Sequence, residues 1–455
     1  MKILIVGGVA GGATAAGRIR RNDEKATIMM VERGPVISFA NCGLPYHISG
    51  VIAEREKLLV TTEDAFEKRY AIDVRCLTEA TAIDRAKKTV HLRDLSSGKE
   101  YDESYDRLLL SPGAEPVRPK LPGIDSKRVF VFRNIQDLDR VMAYLKAEQP
   151  RRAVVVGGGF IGIEVAENLQ ERGLSVTLAE GLNQVLAPLD EEMASIVHEH
   201  LREKNVTLNL ADKIESFEDK AGHTDVHLAS GKSLEAEIII LAIGVRPETT
   251  LARASGLDIG TTGGIKVNEY MQTSDPAIYA VGDAIEVTHT ISRQPVLIPL
   301  AGPAHRQALL AADNIVFGNS HAYRGTQGTA ILKVFDLAVA MTGLNEKQLR
   351  ALGVKYHATV VHSHSHAGYY PQSKPLSLKL LYAPDGKILG AQAIGAEGAD
   401  KRIDVIATAI YGGMTVNDLN ALELAYAPPY GLAKDPVNIA GAIAGSAING
   451  AQKDS

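Results

Sequence analysis

Three short stretches of this 455-residue chain carry residue types that do chemistry. The first is Gly157-Gly158-Gly159-Phe160-Ile161-Gly162, which follows the apolar run Ala153 to Val156. Glu180 ends the next apolar run, Val176 to Ala179. In a G-x-G-x-x-G turn the first glycine permits a tight bend and the second lets a diphosphate approach the backbone. The third lets a helix pack closely on a strand. The N–H groups and dipole at a helix start favour the anion. Glu180 then accepts hydrogen bonds from an adenosine ribose. That carboxylate would repel a 2′-phosphate, so the spacing predicts NADH in preference to NADPH, with NADPH still admissible.

The second stretch, Gly7 to Gly12, keeps the outer glycines but has Val9 in the middle, and Glu32 at the end of the following run restores the pattern. The third is Ser38-Phe39-Ala40-Asn41-Cys42-Gly43-Leu44-Pro45-Tyr46. Its cysteine stands between two non-bulky neighbours, Asn41 and Gly43, at the predicted start of a short helix. A helix start lowers a thiol pKa and raises the thiolate fraction. Cys76, between Arg75 and Leu77 in a strand-like run, reads instead as a small buried hydrophobe.

These residues need strands and helices to hold them. The first turn requires a strand at Ile3 to Val6, a helix at Ala13 to Arg21 and a strand at Ile28 to Val31. The second requires the same unit again, with its helix at Ile163 to Arg172. Pro112 to Pro122 carries four prolines and reads as a linker. Arg246-Pro247-Glu248 marks the chain returning to an earlier domain. Beyond Gly325 the pattern changes to strand-like runs, such as Ile331 to Val334 and Leu376 to Leu381, and a helix near Asp400 to Tyr411. The expected fold is α/β, with two Rossmann-like dinucleotide-binding domains and a C-terminal α+β dimerisation domain. The expected bounds are 1–112 with 244–322, then 113–243, then 323–455.

Composition narrows the classes further. A net charge of −5 gives no basic excess to hold nucleic acid or an anionic membrane. Two cysteines cannot build a disulfide framework or a multi-cysteine metal site. No run approaches the ~18 apolar residues of a membrane helix, and the N-terminal apolar run is too short for a signal peptide. The expected home is the cytoplasm, where thiols stay reduced.

Two further segments give these signals a family. Thr273 to Asp283 ends a strand in Gly282-Asp283, and Leu108 to Ala114 reads Leu-Leu-Leu-Ser-Pro-Gly-Ala. With both glycine turns, they resemble the flavoprotein reductases that hold FAD in the first domain and NAD(P)H in the second. The Cys42 stretch resembles the single-cysteine branch of the pyridine nucleotide–disulfide oxidoreductases. That branch includes coenzyme A-disulfide reductases, persulfide reductases, NADH oxidases and NADH peroxidases. The dithiol members carry two cysteines about five residues apart, whereas no cysteine stands near Cys42.

The resemblance implies that Gly7, Ala10, Gly11, Gly12, Glu32, Arg33, Ser111, Gly113 and Asp283 contact FAD. Gly157, Gly159, Phe160, Ile161, Gly162, Glu180 and Gly244 would contact the nicotinamide nucleotide. Beside a flavin, a Cys42 thiolate attacks sulfur and is released by two electrons. Oxidase and peroxidase members carry a histidine where this chain has Ala10, so the pattern favours coenzyme A disulfide or persulfide as acceptor over oxygen or peroxide. The alternatives are an oxidase, or a flavin-bound thiol sensor.

By the same resemblance, Tyr426 and either Tyr369 or Tyr370 reach the cysteine of the other subunit of a homodimer, where a tyrosine can protonate the departing thiolate. Coenzyme A brings a diphosphate and a 3′-phosphate. Arg18 and Arg21 share a helix face, and with Ser38, Asn41, Lys68, Arg69 and Arg306 they form its implied path. By the same resemblance some persulfide reductases append a sulfurtransferase domain, and none is expected in a chain that stops at Ser455, which weakens the persulfide option without removing it. His362, His364 and His366 are expected to alternate along one strand face as a polar edge without a metal. Glu346 to Arg350 reads as ordinary surface.

Overall fold

The computed structural model describes residues 1–453. The chain forms two compact units. One comprises 1–117, 133–140 and 244–326, and the other 118–132, 141–243 and 327–453.

The first unit is built on a parallel five-stranded sheet. Its order in space is Ile278–Ala280, Arg107–Leu110, Lys2–Val6, Thr27–Val31 and Asp73–Arg75. The register sets Ile3 beside both Ile28 and Arg107, and Leu108 beside Ile278. Strands covered on both faces read as unbroken apolar runs, which is why Ile3-Leu4-Ile5 shows no alternation. All three are fully buried, each contributing about 1.5–3 kcal/mol of apolar transfer.

On this sheet, helix Ala10–Asn22 packs against helix Ala301–Phe317. Ala13, Ala15 and Ala16 are buried on the first helix, and Ala304, Ala308, Ala311 and Ala312 on the second. Such small residues let two helix backbones approach. The proline-rich stretch is more than a linker: Ala114–Pro116 pairs antiparallel with Val245–Pro247 as a two-stranded ribbon.

The second unit repeats the parallel sheet, in the order Thr207–Asn209, Ser175–Ala179, Arg152–Val156, Ile238–Leu241 and Val129–Val131. It also holds an antiparallel sheet ordered Ala330–Val334, Leu337–Gly343, Ile388–Gly395, Pro375–Tyr382 and His357–His364. Helices Ala399–Tyr411 and Pro436–Lys453 pack on that sheet.

A buried ion-pair network joins the antiparallel sheet to the starts of helices Glu191–Glu203 and Glu346–Ala351. Lys379 is fully buried, and its ammonium meets Asp190 at 2.9 Å together with Glu192 and Glu346. Gln392 closes the network by donating to Asp190 Oδ2 at 2.7 Å. Glu346, read from sequence as ordinary surface, therefore has a structural task. Burial alone would raise its carboxyl, but hydrogen bonds from Lys379, Tyr356 and Arg350 hold it down at about 2. The histidines also depart from expectation. His362 and His364 are exposed at the end of strand His357–His364, while His366 lies beyond the strand and is buried against Ser365 and Pro371.

Candidate active site

Both glycine turns have one geometry. Gly7 and Gly157 adopt φ of +98° and +104°, which only glycine tolerates well. A Cβ on Gly12 would overlap the Gly7 carbonyl oxygen, and one on Gly162 that of Gly157, so the third glycine sets the closeness of helix to strand. The helices start inside the turns, at Ala10 and Phe160, three residues before the starts expected at Ala13 and Ile163. Neither start is capped by a side chain. Around Gly159 there is open space within 4 Å of where a Cβ would stand. These are the requirements of a dinucleotide diphosphate.

The acids are pre-set by the backbone. Glu32 accepts the N–H groups of Gly8 and Gly34, both at 2.7 Å. Glu180 accepts those of Gly158 at 2.6 Å and Leu182 at 2.9 Å. Each carboxylate oxygen keeps lone pairs for a ribose diol. The likeness extends past the acids, where sequence reading had stopped. Ser38 at φ +48° donates its N–H to Gly8 O, and Leu186 at φ +49° donates its own to Gly158 O. Around the first turn, Ser111 Oγ fills the space beside Gly11, and Gly113 adopts φ +74°. Gly244 lies at φ +114°, and the exposed Arg33 is 3.9 Å from Glu79.

The segment that leaves Ser38 carries the thiol. Ala40 and Val60 tie it to the chain at Leu58 and Ser38 through backbone hydrogen bonds of 2.8 and 2.9 Å. Cys42 sits in the 3₁₀ turn Asn41–Gly43, which runs into helix Leu44–Ser49. Leu44 and Ile48 are buried beneath, whereas Cys42 is exposed. Arg55 grips Asp139 through two hydrogen bonds of 2.6 and 2.8 Å, fixing the chain beyond. Cys76 has the opposite environment. Burial, and then the carboxylates Glu63, Glu32 and Glu67, push its thiol up to about 12.

The other expected residues fall into groups. Asp283 follows strand Ile278–Ala280 and is held by Arg133 at 2.8 Å. Tyr369 and Tyr426, both exposed, have their hydroxyls 2.8 Å apart. Tyr370 instead packs its ring edge-on against His366, with centroids 5.7 Å apart. The pair the structure brings together is therefore Tyr369 with Tyr426. Arg21, Lys68, Arg69 and Arg306 are exposed, while Ser38 precedes the thiol turn and Asn41 opens it. Arg18 is a correction to the picture of an open cation. Its guanidinium is forked onto Asp313 at 2.7 and 3.1 Å, and Asn22 donates to the same carboxylate at 2.6 Å. Sequence reading missed Arg133, Arg55 and His305. The last joins the two packed helices through Thr14 at 2.8 Å. None of these three lies in a recognisable spacing.

The glycine cradles, their acids and the exposed thiol define a redox enzyme with two dinucleotide sites, and the chain belongs to the pyridine nucleotide-disulphide oxidoreductases. The family model of that description matches residues 1–308, and its dimerisation domain matches 329–435. A coenzyme A disulfide reductase of Staphylococcus haemolyticus is 36% identical over 97% of this chain and 98% of its own. The solved structure of reduced Bacillus anthracis CoADR-RHD is 51% identical, with a TM-score of 0.97, over 99% of this chain and 81% of the other. That of a NAD-dependent persulfide reductase from A. fulgidus is 38% identical, with a TM-score of 0.96, over 99% and 84%. Among the described residues no helix is long and apolar enough to cross a membrane.

Proposed function

We propose that this chain is an FAD-dependent, NADH-consuming reductase of coenzyme A disulfide, acting through Cys42. The carrying observation is the exposed Cys42 on a rigid turn one segment away from the first cradle, while the other cysteine is held protonated by burial. The Gly7–Gly12 cradle with Glu32, Ser111 and Asp283 would hold FAD, and the Gly157–Gly162 cradle with Glu180 would hold NADH. Bound together, these cofactors supply two electrons to sulfur.

The protein's own part is nucleophilic. The Cys42 thiolate attacks one sulfur of the disulfide, the S–S bond breaks, and one coenzyme A thiolate leaves as a mixed disulfide forms. Two electrons then free the second coenzyme A and restore Cys42. In sum, coenzyme A disulfide, NADH and a proton give two coenzyme A thiols and NAD⁺. The Tyr369–Tyr426 pair belongs to the part matched by the dimerisation domain and is exposed, which supports a homodimer whose tyrosines serve the partner's cysteine. In that arrangement they donate a proton to the departing thiolate. Arg21, Arg306, Lys68 and Arg69 supply cations for the phosphates, with Ser38 and Asn41 lining the approach to sulfur. Arg18 contributes less, because Asp313 already neutralises it. A reductive thiol chemistry of this kind belongs in the cytoplasm.

The test is anaerobic NADH oxidation by the FAD-loaded protein, with coenzyme A disulfide and coenzyme A persulfide at equal concentration. Faster turnover of the disulfide is expected. Preference for the persulfide, with sulfide released, would move the acceptor to sulfur metabolism. Turnover of neither, with oxygen consumed in air, would replace this reading by an oxidase. Cys42→Ser should abolish thiol-substrate turnover while NADH still reduces the flavin, and surviving turnover would refute the mechanism.

A further inference from the structure

Residues Arg133–Arg140 belong to the first unit, although the chain on either side of them belongs to the second. This inserted piece is a helix start locked by a reciprocal cap. Asn134 Oδ1 accepts the N–H of Asp137 at 2.8 Å, and Asp137 Oδ2 accepts the N–H of Asn134 at 3.2 Å. The same Asp137 oxygen accepts the N–H of Arg133 at 2.8 Å, its other oxygen takes Arg140, and its side chain is buried. The backbone at Arg133 is thus fixed before its side chain makes any contact.

From that fixed point Arg133 reaches two parts of the candidate site. Its guanidinium donates to Asp283 Oδ2 at 2.8 Å and to the Ala114 carbonyl at 3.3 Å. The Arg133 and Asp283 side chains are only 23% and 17% exposed, so the pair is largely screened from water. At the other end, the Arg133 carbonyl accepts from Asn41 Nδ2 at 3.3 Å, and Asn41 is the neighbour of Cys42. The Arg55–Asp139 fork fastens the same inserted helix start to the chain beyond the thiol helix.

We propose that Arg133 is a positioning residue for the redox site, orienting the Asp283 carboxylate with its side chain and steadying the Cys42 turn with its backbone carbonyl, both from one capped helix start. This rests on the reading of the first unit as the FAD-binding one. A planar guanidinium holds one donor on the Asp283 carboxylate and another on the Ala114 carbonyl at once, a divergent pair that an ammonium cannot copy. Without it, Asp283 is a half-buried charge lacking its counter-ion and turns toward water. The Ala114 carbonyl loses its donor as well, while the Asn41 contact, made to the Arg133 backbone, stays. A misplacement of about 1 Å at such a group reduces function by up to about 100-fold.

The test uses the full chain, reduced and freed of thiols, with no coenzyme A present. Arg133→Ala is expected to weaken FAD binding about 10- to 100-fold, and Asn41→Ala, which removes the tie of the thiol turn to the Arg133 carbonyl, to shift the pH profile of Cys42 alkylation by iodoacetamide. Arg133→Lys, which keeps the charge without the fork, should recover part of the FAD affinity. Arg133→Ala combined with Asp283→Asn should bind FAD no more weakly than Arg133→Ala alone. Unchanged FAD affinity in Arg133→Ala would overturn the role, as would simple additivity in the double variant or an unchanged alkylation profile in Asn41→Ala. Should Arg133→Ala fail to fold, the same cycle with Arg133→Lys and Asp283→Asn decides by the same criterion. Wild-type protein that bound no FAD would instead overturn the reading of the first unit, so the two failures are distinguishable.

Discussion

Substituting Gly159 by alanine separates the nucleotide site from the fold. Gly159 is exposed, has φ −78° and ψ −174°, and meets no heavy atom within 4 Å of a built Cβ. Alanine adopts that backbone freely. It loses up to about 1 kcal/mol of glycine's preference at a helix N-cap. Against this, it gains about 0.4–1 kcal/mol from a stiffer unfolded chain. The two nearly cancel, so the protein without NADH should melt within about 2 °C of wild type. With nucleotide the balance changes, because the methyl group occupies the space through which the diphosphate approaches the backbone. Loss of that approach should weaken NADH binding by about 1.4–2.8 kcal/mol, a 10- to 100-fold rise in Kd. Calorimetric titration of the FAD-loaded protein reads the Kd, and thermal unfolding reads the stability. Gly157→Ala is the contrast. At φ +104°, with the Ala242 carbonyl in the way, it should lower stability by about 1–3 kcal/mol or more even without ligand. Wild-type NADH affinity in Gly159→Ala would refute the placement of the diphosphate, and a collapsed melting temperature would refute the reading of open space.

Other perturbations probe different parts. At pH 8 iodoacetamide should label Cys42 and leave Cys76 unmodified in the native protein, since a thiol pushed up to about 12 holds almost no thiolate; mass mapping of comparable labelling at both sites would contradict that environment. Lys379→Met strips the counter-ion from buried Asp190 and from Glu346, and should lower unfolding stability by about 3–5 kcal/mol. Glu346, held at about 2 in the folded state against an ordinary value near 4.5, contributes stability that is complete above about pH 5 and lost as pH falls toward 2. Denaturant titrations should therefore show a shallower loss over that window in Glu346→Gln, and an unchanged slope would remove the carboxylate from the account. Tyr369→Phe should slow disulfide turnover more than Tyr370→Phe, because only Tyr369 shares a hydrogen bond with Tyr426; the reverse order in steady-state kcat would reassign the tyrosine.

The cradles were legible because glycine acts locally. A positive φ at Gly7 or Gly157, and the missing Cβ of Gly12 or Gly162, are demands made by atoms a few residues away, and they leave a spacing in the sequence. Glu32 and Glu180 were legible for the same reason, since each is gripped by backbone N–H groups of its own turn and loop. The exposed thiol could be chosen over Cys76 from its neighbours alone. Helix starts were misplaced by three residues because the first helical turns, Ala10-Gly11-Gly12 and Phe160-Ile161-Gly162, carry the closing glycines of the motifs that read as loop.

What the sequence left open depends on partners far along the chain. Arg18 and Arg21 share a helix face, yet Asp313 neutralises Arg18 and leaves Arg21 exposed. Adjacent Tyr369 and Tyr370 have equal chemistry until Tyr426 and His366 divide them. Glu346 looked like surface until the chain brought the buried Lys379 ammonium to it. Arg133 sits in no motif, and its meaning comes from Asp283 and Asn41 together. The sequence by itself thus determined the two glycine turns, their acids and the exposed thiol, through constraints that act within a turn. The tertiary structure alone decided which charges are spent on each other and which remain to meet a substrate, because a carboxylate brought from a distant segment neutralises a cation without leaving any local pattern.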